Sequence, residues 1–279
     1  MEAPILTQEA QTLGGVVRFA VFGAGPALVL VHGTPWSSFS WSRVVPILAR
    51  HFTVYVYDMP GYGQSEMRDG QDVSLGIQNK VLGQLLDHWQ LRKLFIAGHD
   101  FGGATVLRAH LLDGRDFLAI ALLNAVALAP WGSPFFAHVR KHVQAFEGVP
   151  PYIHRAIVEA YIRGAMSGRI AEADFTALVA PWLPELGQRA FYRQIAQADQ
   201  RFTDEVESRY SAVRCPSLVI WGEDDPWIPL ATGQRLHERI PGSRLEAVAG
   251  AGHLVQLEAP EAVATHLLDF FTSHQLPQS

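Results

Sequence analysis

The stretch FIAGHDFGGAT, residues 95–105, places a carboxylate where the chain is expected to turn sharply. An apolar run that suits a strand leads into glycines around Asp100, and a helix-forming stretch follows. The same strand, turn and helix commonly expose a serine nucleophile in the pattern G-x-S-x-G. Because aspartate has a reference pKa of about 3.9, it is ionised at neutral pH and needs no base to attack. We therefore expect Asp100 to attack saturated carbon and form an alkyl ester; the alternative is that it caps the following helix.

Hydrolysis of such an ester requires a water molecule and a base. His253, in GAGHLVQLEAP, is the candidate base, and the alternative is an ordinary loop histidine. An acid is needed to orient the imidazole, and the neighbouring Asp224 and Asp225 are both placed for that role after an apolar run.

Short apolar runs can position these groups, and each of them ends in Gly, Asp, Asn or Pro. They cover residues 27–33, 52–61, 93–103, 117–128 and 217–225. Continuous apolar strands are typical of a mostly parallel sheet that is buried on both faces. Helix-period segments at 79–90 and 104–113 alternate with the strands, and 6–23 suits an N-terminal hairpin. The pattern predicts an α/β open sheet, in which functional groups gather at the carboxyl ends of the strands.

Residues 129–212 break this alternation. They have helical periodicity, many aromatic residues and frequent prolines. We predict a helical cap at 129–212, inserted into a core made of 1–128 and 213–279. The alternative is that this region simply continues the core, but a gap of roughly 80 residues without a strand argues against it.

Composition narrows the range of partners. The chain has 279 residues, of which 48% are hydrophobic, so it can bury a substantial core. Its net charge of −5, without a basic block, argues against nucleic acid and membrane surfaces as partners. No apolar run suits a membrane span, and the N-terminus does not have the pattern of a signal peptide. The single cysteine, Cys215, suits a reducing compartment, so we expect a cytoplasmic protein.

Two further segments carry a family resemblance. HGTPWSSFSW (32–41) and DMPGYGQS (58–65), with the chain order aspartate, acid, histidine, resemble the α/β-hydrolase superfamily over nearly the whole chain. Asp100 at the turn narrows the resemblance to the epoxide hydrolases and haloalkane dehalogenases. The family spacing G-x-x-D, counted from Gly222, favours Asp225 over Asp224 as the acid.

The resemblance implies a mechanism as well as a fold. It implies a triad of Asp100, Asp225 and His253, with the backbone N–H groups of Thr34 and Phe101 as donors to the oxyanion. No metal and no organic cofactor are implied. In some dehalogenases the acid follows the preceding strand, where this chain has Asn124, which is not a carboxylate.

The leaving group is the open question. Epoxide hydrolases use two cap tyrosines to protonate the opening ring. The segment FYRQ (191–194) resembles the family's WYR setting, so Tyr192 is the first candidate and Tyr161 the second. Haloalkane dehalogenases usually carry Trp directly after the nucleophile and often Asn in the HGxP segment, where this chain has Phe101 and Thr34. These departures favour an epoxide over a halide.

The aromatic cap suggests what binds there. We expect Trp36 and Trp131 to line the pocket and the substrate to be small, apolar and uncharged. Trp36, Trp131 or Trp182 could serve as a substitute halide donor. The first alternative is a haloalkane or haloacid dehalogenase with the same nucleophile. The second is a non-catalytic protein of this fold that binds a small molecule, although an apparently complete triad argues against it.

Overall fold

The computed structural model of the chain describes residues 6–167 and 170–275. In these residues eight strands form one sheet: β1 Gln8–Thr12, β2 Gly15–Phe22, β3 Ala27–Val31, β4 Thr53–Tyr57, β5 Phe95–His99, β6 Ala119–Leu123, β7 Ser217–Gly222 and β8 Arg244–Val248. Their spatial order is β1-β2-β4-β3-β5-β6-β7-β8. Strands β1 and β2 form the predicted hairpin, which pairs antiparallel with β4. The strands from β4 to β8 pair parallel, which confirms the prediction of a mostly parallel sheet.

Side chains of the central strands enter two separate cores, one on each face of the sheet. On β3, Val29 and Val31 join one core, while Leu28 and Leu30 join the other. All four side chains are fully buried. Burial on both faces explains why these strands are continuous apolar runs in the sequence.

Helices cover both faces of the sheet. The described residues contain α1 Val45–Leu48, α2 Leu75–His88, α3 Phe101–Leu111, α4 Pro134–Glu147, α5 Pro151–Arg163, α6 Glu172–Val179, α7 Glu185–Gln197, α8 Arg201–Glu207, α9 Leu230–Arg239, α10 Val255–Glu258 and α11 Pro260–Thr272. The segments that periodicity predicts as helical, 79–90 and 104–113, lie largely in α2 and α3. Over the described part of the chain, none of the helices has both the length and the apolar character that a membrane span requires.

The stretch between β6 and β7 is helical, with α4–α8 and short 3-10 turns, and the residues described there contain no strand. Helix α7 is tied to the core by Gln197. Its Oε1 accepts the N–H of Val73 at 2.8 Å, and its amide donates to the carbonyl oxygen of Gln71 at 2.9 Å. This arrangement agrees with an inserted cap, although the limits 129–212 remain a prediction.

Candidate active site

The turn after β5 places Asp100 at the start of α3 in a rare backbone conformation, with φ 54° and ψ −119°. Glycines allow the surrounding elements to approach closely. A β-carbon at Gly102 would lie 2.2 Å from the carbonyl oxygen of Val31, and one at Gly98 would lie 2.5 Å from the carbonyl oxygen of Gly102. The side chain of Asp100 makes no hydrogen bond that caps the helix. The carboxylate is therefore not held as a helix cap.

Neighbouring strands of the sheet deliver the site residues. Thr34, Asp100, Asn124, Asp225 and His253 follow β3, β5, β6, β7 and β8, which are adjacent in the sheet. The chain reverses its direction of growth across the sheet between β3 and β5, which is where ligands bind in open α/β sheets. The fold therefore explains how residues so distant in sequence come together.

The three residues of the expected triad are in contact. Nδ1 of His253 lies 2.9 Å from Oδ2 of Asp225, and Nε2 of His253 lies 3.4 Å from Oδ2 of Asp100. All three side chains are buried, whereas Asp224 is exposed. The geometry thus brings together the residues that the sequence singled out, and of the two neighbouring carboxylates it selects Asp225.

Asp225 is held by four donors. Its Oδ1 accepts the N–H groups of Trp227 and Ile228 at 2.8 and 2.9 Å, and its Oδ2 accepts the amide of Asn124 at 2.6 Å as well as His253. Burial favours the neutral acid, but the charge of His253 and these hydrogen bonds outweigh it and lower the pKa of Asp225. Asp225 therefore remains a carboxylate, and Asn124 supports it from the position where some dehalogenases carry the acid.

The environment of His253 favours the imidazolium. Burial lowers the pKa of the ring, but the charge and hydrogen bond of Asp225 and the nearby charge of Asp100 raise it to about 10. If Asp100 becomes an ester, one of these two charges disappears, and the pKa of His253 must fall. The arrangement would make His253 a better base at the stage that needs one.

This pKa predicts a loss of stability in alkaline solution. The folded-state pKa of about 10 exceeds the ordinary value of 6.5, so the contribution is complete below pH 6.5 and is lost as the pH rises through 10. We expect the free energy of unfolding to fall more between pH 7 and 10 in the wild type than in His253→Gln. Urea unfolding followed by tryptophan fluorescence measures this difference, and the buried tyrosines, common to both proteins, cancel in it. Equal losses in the two proteins would contradict the prediction.

One of the two expected oxyanion donors is bonded to the carboxylate. The N–H of Thr34 donates to Oδ1 of Asp100 at 2.7 Å. Phe101 is the first residue of α3, so its N–H has no partner within the helix. His32 supports the loop that carries Thr34: its Nδ1–H donates to the carbonyl oxygen of Gly33 at 2.8 Å.

Asp100 opens onto a cavity of about 240 Å³ with a largely apolar wall. Thr34, Phe101, Trp131 and Tyr161 are the other expected site residues that line it. The remaining wall is formed by Val126, Pro130, Gly132, Ser133, Phe136, Pro226, Trp227, Ile228, Pro229 and Thr232.

Trp36 does not belong to this wall, which corrects the expectation from the sequence. Its ring stacks on that of Trp227, with 5.7 Å between the ring centroids, and is buried. Its indole N–H is buried and finds no hydrogen-bond partner among the residues that the structure describes. Trp131 does line the cavity, but its indole N–H donates to the hydroxyl of Thr203 at 2.7 Å.

Tyr161 reaches the cavity with a free phenol. In the described ranges, 6–167 and 170–275, its hydroxyl makes no hydrogen bond. Burial, and then the charge of Asp100, raise its pKa well above the ordinary value. The phenol therefore keeps its proton at neutral pH and can donate it.

Tyr192 is placed elsewhere, which corrects the stronger of the two tyrosine expectations. It is fully buried, it is not part of the cavity wall, and its hydroxyl donates to Nδ1 of His154 at 2.9 Å. Gln194 is the residue of α7 that contacts the site: its Oε1 accepts the hydroxyl of Thr34. Residues two apart on a helix point in directions that differ by about 200°, so Tyr192 and Gln194 cannot face the same side of α7. Gln194 was not expected from the sequence. Its spacing of three from Gln197, which also faces the core, is the signal that could have found it.

Comparisons with known proteins agree with this architecture. The model of the alpha/beta hydrolase family matches residues 28–266. An alpha/beta hydrolase fold protein from Burkholderia ambifaria is 48% identical, with a TM-score of 0.93 over 96% of this chain and 99% of that one. The 2-hydroxy-6-oxo-2,4-heptadienoate hydrolase of Pseudomonas putida is 30% identical over 90% of this chain and 91% of its own.

A structure of the epoxide hydrolase CorEH is 22% identical, with a TM-score of 0.76, and covers 96% of this chain and 99% of that one. At that level of identity the likeness concerns the fold alone. The family match and the Pseudomonas relative, which extend over most of the chain, establish that this protein belongs to the alpha/beta hydrolase family.

Proposed function

We propose that the protein is an epoxide hydrolase that acts through an alkyl ester on Asp100. One observation carries the proposal. The carboxylate of Asp100, in contact with His253 and with the N–H of Thr34, shares its cavity with the free phenol of Tyr161. A nucleophile that needs no base and a neutral proton donor are the two groups that the opening of an epoxide requires.

In the first step Asp100 attacks the epoxide and becomes alkylated. Oδ1 is held by Thr34, so Oδ2 attacks one carbon of the epoxide, and the electron pair of the broken C–O bond moves to the ring oxygen. Tyr161 gives its proton to that oxygen. The products are an alkyl ester on Asp100 and a phenolate at Tyr161.

In the second step water cleaves the ester. His253 first releases a proton to solvent, because its pKa falls once Asp100 is an ester. Its neutral Nε2 then takes a proton from water, and the hydroxide attacks Cγ of Asp100. The negative charge that develops on Oδ1 meets the N–H groups of Thr34 and Phe101. Collapse of this intermediate expels the diol as an alkoxide, which His253 protonates, and leaves Asp100 as a carboxylic acid. The acid proton passes to His253, which restores the carboxylate and the imidazolium, and Tyr161 regains its proton from solvent. The sum is epoxide plus water to diol.

The surroundings of Asp100 favour an oxygen leaving group over a halide. A departing halide needs side-chain N–H donors, but the side chain of Phe101 has none and the indole N–H of Trp131 is already bonded to Thr203. A haloalkane dehalogenase is the second candidate, because the indole N–H of Trp36, close to His253, has no hydrogen-bond partner within residues 6–167 and 170–275.

The relative from Pseudomonas putida suggests a third substrate class, a 2-hydroxy-6-oxo-2,4-heptadienoate. Attack of an aspartate on a carbonyl carbon gives an anhydride, which is more reactive than an ester and therefore forms less readily. The carboxylate nucleophile therefore favours a substrate attacked at saturated carbon over one attacked at a carbonyl carbon.

The test is a panel of substrates combined with tyrosine variants. We expect diol from a styrene-oxide-like epoxide, and little or no halide from 1-bromobutane or product from a carboxylic ester. Tyr161→Phe should slow the alkylation step by about 10²-fold, since general acid assistance is typically worth 10²- to 10⁴-fold. Tyr192→Phe, whose phenol is held by His154, should slow it less than tenfold.

Tyr152→Phe is the matched control, because Tyr152 is a cap tyrosine with 73% of its surface exposed. Its alkylation rate should equal that of the wild type. Rapid halide release without epoxide turnover would replace the proposal with the dehalogenase, and Trp36→Phe would then test the halide donor. Equal losses in Tyr161→Phe and Tyr192→Phe would refute the assignment of Tyr161.

A further inference from the structure

We propose that the cap positions the oxyanion donor. Gln194 and Trp182 are positioning residues that form hydrogen bonds with Thr34 and Pro35. The inference rests on the proposed role of the Thr34 N–H as a donor to Asp100. Neither residue contacts the reacting atoms. From the sequence, Trp182 was expected only as a substitute halide donor, and Gln194 was not expected to serve the site.

Gln194 forms the first of these two hydrogen bonds. It lies on α7, is only 2% exposed, and accepts the hydroxyl of Thr34 with its Oε1. The hydroxyl of Tyr62, from the core, lies 3.3 Å from Oγ1 of Thr34 and 3.5 Å from Oε1 of Gln194. Thr34 is therefore held between a residue of the cap and a residue of the core, while its N–H lies 2.7 Å from Oδ1 of Asp100.

Trp182 forms the second hydrogen bond, with Pro35. Its indole N–H donates to the carbonyl oxygen of Pro35 at 2.9 Å, and its side chain is 1% exposed. The carbonyl oxygen of Trp182 in turn accepts Nε2–H of His154 at 2.8 Å. Because that ring nitrogen donates, Nδ1 of His154 is an acceptor, and it takes the hydroxyl of Tyr192 at 2.9 Å. All of these groups are buried, so no bulk water competes for them.

The two hydrogen bonds matter because an oxyanion donor stabilises the developing charge only when it is correctly placed. Removing one donor typically costs 10²- to 10³-fold in rate, and small misplacements of a catalytic group are also costly. In the alkylation step the Thr34 N–H only orients a carboxylate that already carries its charge. In the hydrolysis step it meets charge that develops on Oδ1. Loosening Thr34 should therefore slow hydrolysis of the ester more than its formation.

The experiment compares two identical changes on one helix. Gln194→Met and Gln197→Met each replace an amide of α7 that bonds to the core by a side chain of similar length. Gln197 bonds to Gln71 and Val73, away from Thr34, so it measures the general effect of weakening the contact between cap and core. Trp182→Phe, which keeps an aromatic ring but loses the N–H, tests the hydrogen bond to Pro35 independently.

Two readouts are needed. Hydrogen–deuterium exchange of the peptide with residues 33–41 reports on the loop itself, and single-turnover kinetics with the epoxide separate formation of the ester from its hydrolysis. In Gln194→Met and Trp182→Phe we expect faster exchange in that peptide and hydrolysis slower by about 5- to 50-fold, below the cost of removing a donor outright. Ester formation should stay within about threefold of the wild type. Gln197→Met should match the wild type in both readouts.

Unchanged exchange in both Gln194→Met and Trp182→Phe would overturn the proposal, and so would faster exchange with unaltered hydrolysis. Equal effects in Gln197→Met would reduce the finding to cap docking and overturn it too. If no substrate alkylates Asp100, it is the proposed function that fails. The exchange of the loop peptide still decides whether the cap holds Thr34, because that measurement needs no substrate.

Discussion

His253→Gln should accumulate a covalent ester on Asp100 when it is mixed with a true substrate. Asp100 needs no base to attack, so alkylation should continue, whereas hydrolysis loses the group that activates water. Loss of a triad base slows the step it serves on the order of 10⁴-fold or more. Intact-protein mass spectrometry should therefore show an added mass that persists for hours, and peptide mapping should place it on Asp100.

The added mass also identifies the leaving group. An epoxide adds its whole mass, whereas a haloalkane adds its mass less that of the hydrogen halide. The double variant Asp100→Asn/His253→Gln is the control and should gain nothing, and circular dichroism shows whether each variant is folded. An adduct on another residue would refute the assignment of Asp100. So would the absence of an adduct with a substrate that the wild type turns over.

Asp225→Asn should lower turnover by about 10³- to 10⁴-fold, and Asp224→Asn by less than threefold. Asp225 is buried 2.9 Å from Nδ1 of His253, whereas Asp224 is exposed. An asparagine at 225 keeps the shape but can neither stabilise the imidazolium nor enforce the Nδ1–H tautomer.

The loss should fall on the hydrolysis step, where His253 acts as a base, so single-turnover rates of ester formation and hydrolysis measure it. Asp224→Asn is a matched control, because it makes the same change on the neighbouring residue. Comparable losses in the two variants would mean that Asp225 does not act through His253.

The elements that build the site could be predicted from local signals. The hairpin, the parallel strands and the helical stretch between β6 and β7 follow from the period of apolar residues and from the glycines and prolines that interrupt it. The turn at Asp100 was predictable because only glycines permit the close approach of the strand and helix around it. Asp100, His253 and an acid after β7 could be proposed together because parallel strands share one carboxyl edge, whereas Thr34 and the choice of Asp225 were implied by the family resemblance.

Other assignments depended on packing between distant segments. Asp224 and Asp225 are neighbours in the same loop. The family spacing favours Asp225, but only the tertiary structure shows that Asp225 is buried against His253 while Asp224 is exposed. Tyr161 and Tyr192 are both aromatic residues on cap helices. Their roles diverge because the docking of the cap sets the rotation of each helix against the core, which the sequence of one helix does not contain.

The sequence by itself thus determined which chemistry is available, because a carboxylate at the turn and a histidine after the last strand are properties of local segments. The tertiary structure decided which side chains meet that carboxylate: it brings Tyr161 to the cavity, buries Tyr192 against His154, and sets Gln194 on Thr34. The physical reason is range. Strand, turn and helix signals act over a few residues, whereas Gln194 and Thr34 are 160 positions apart and meet only when the cap closes on the sheet.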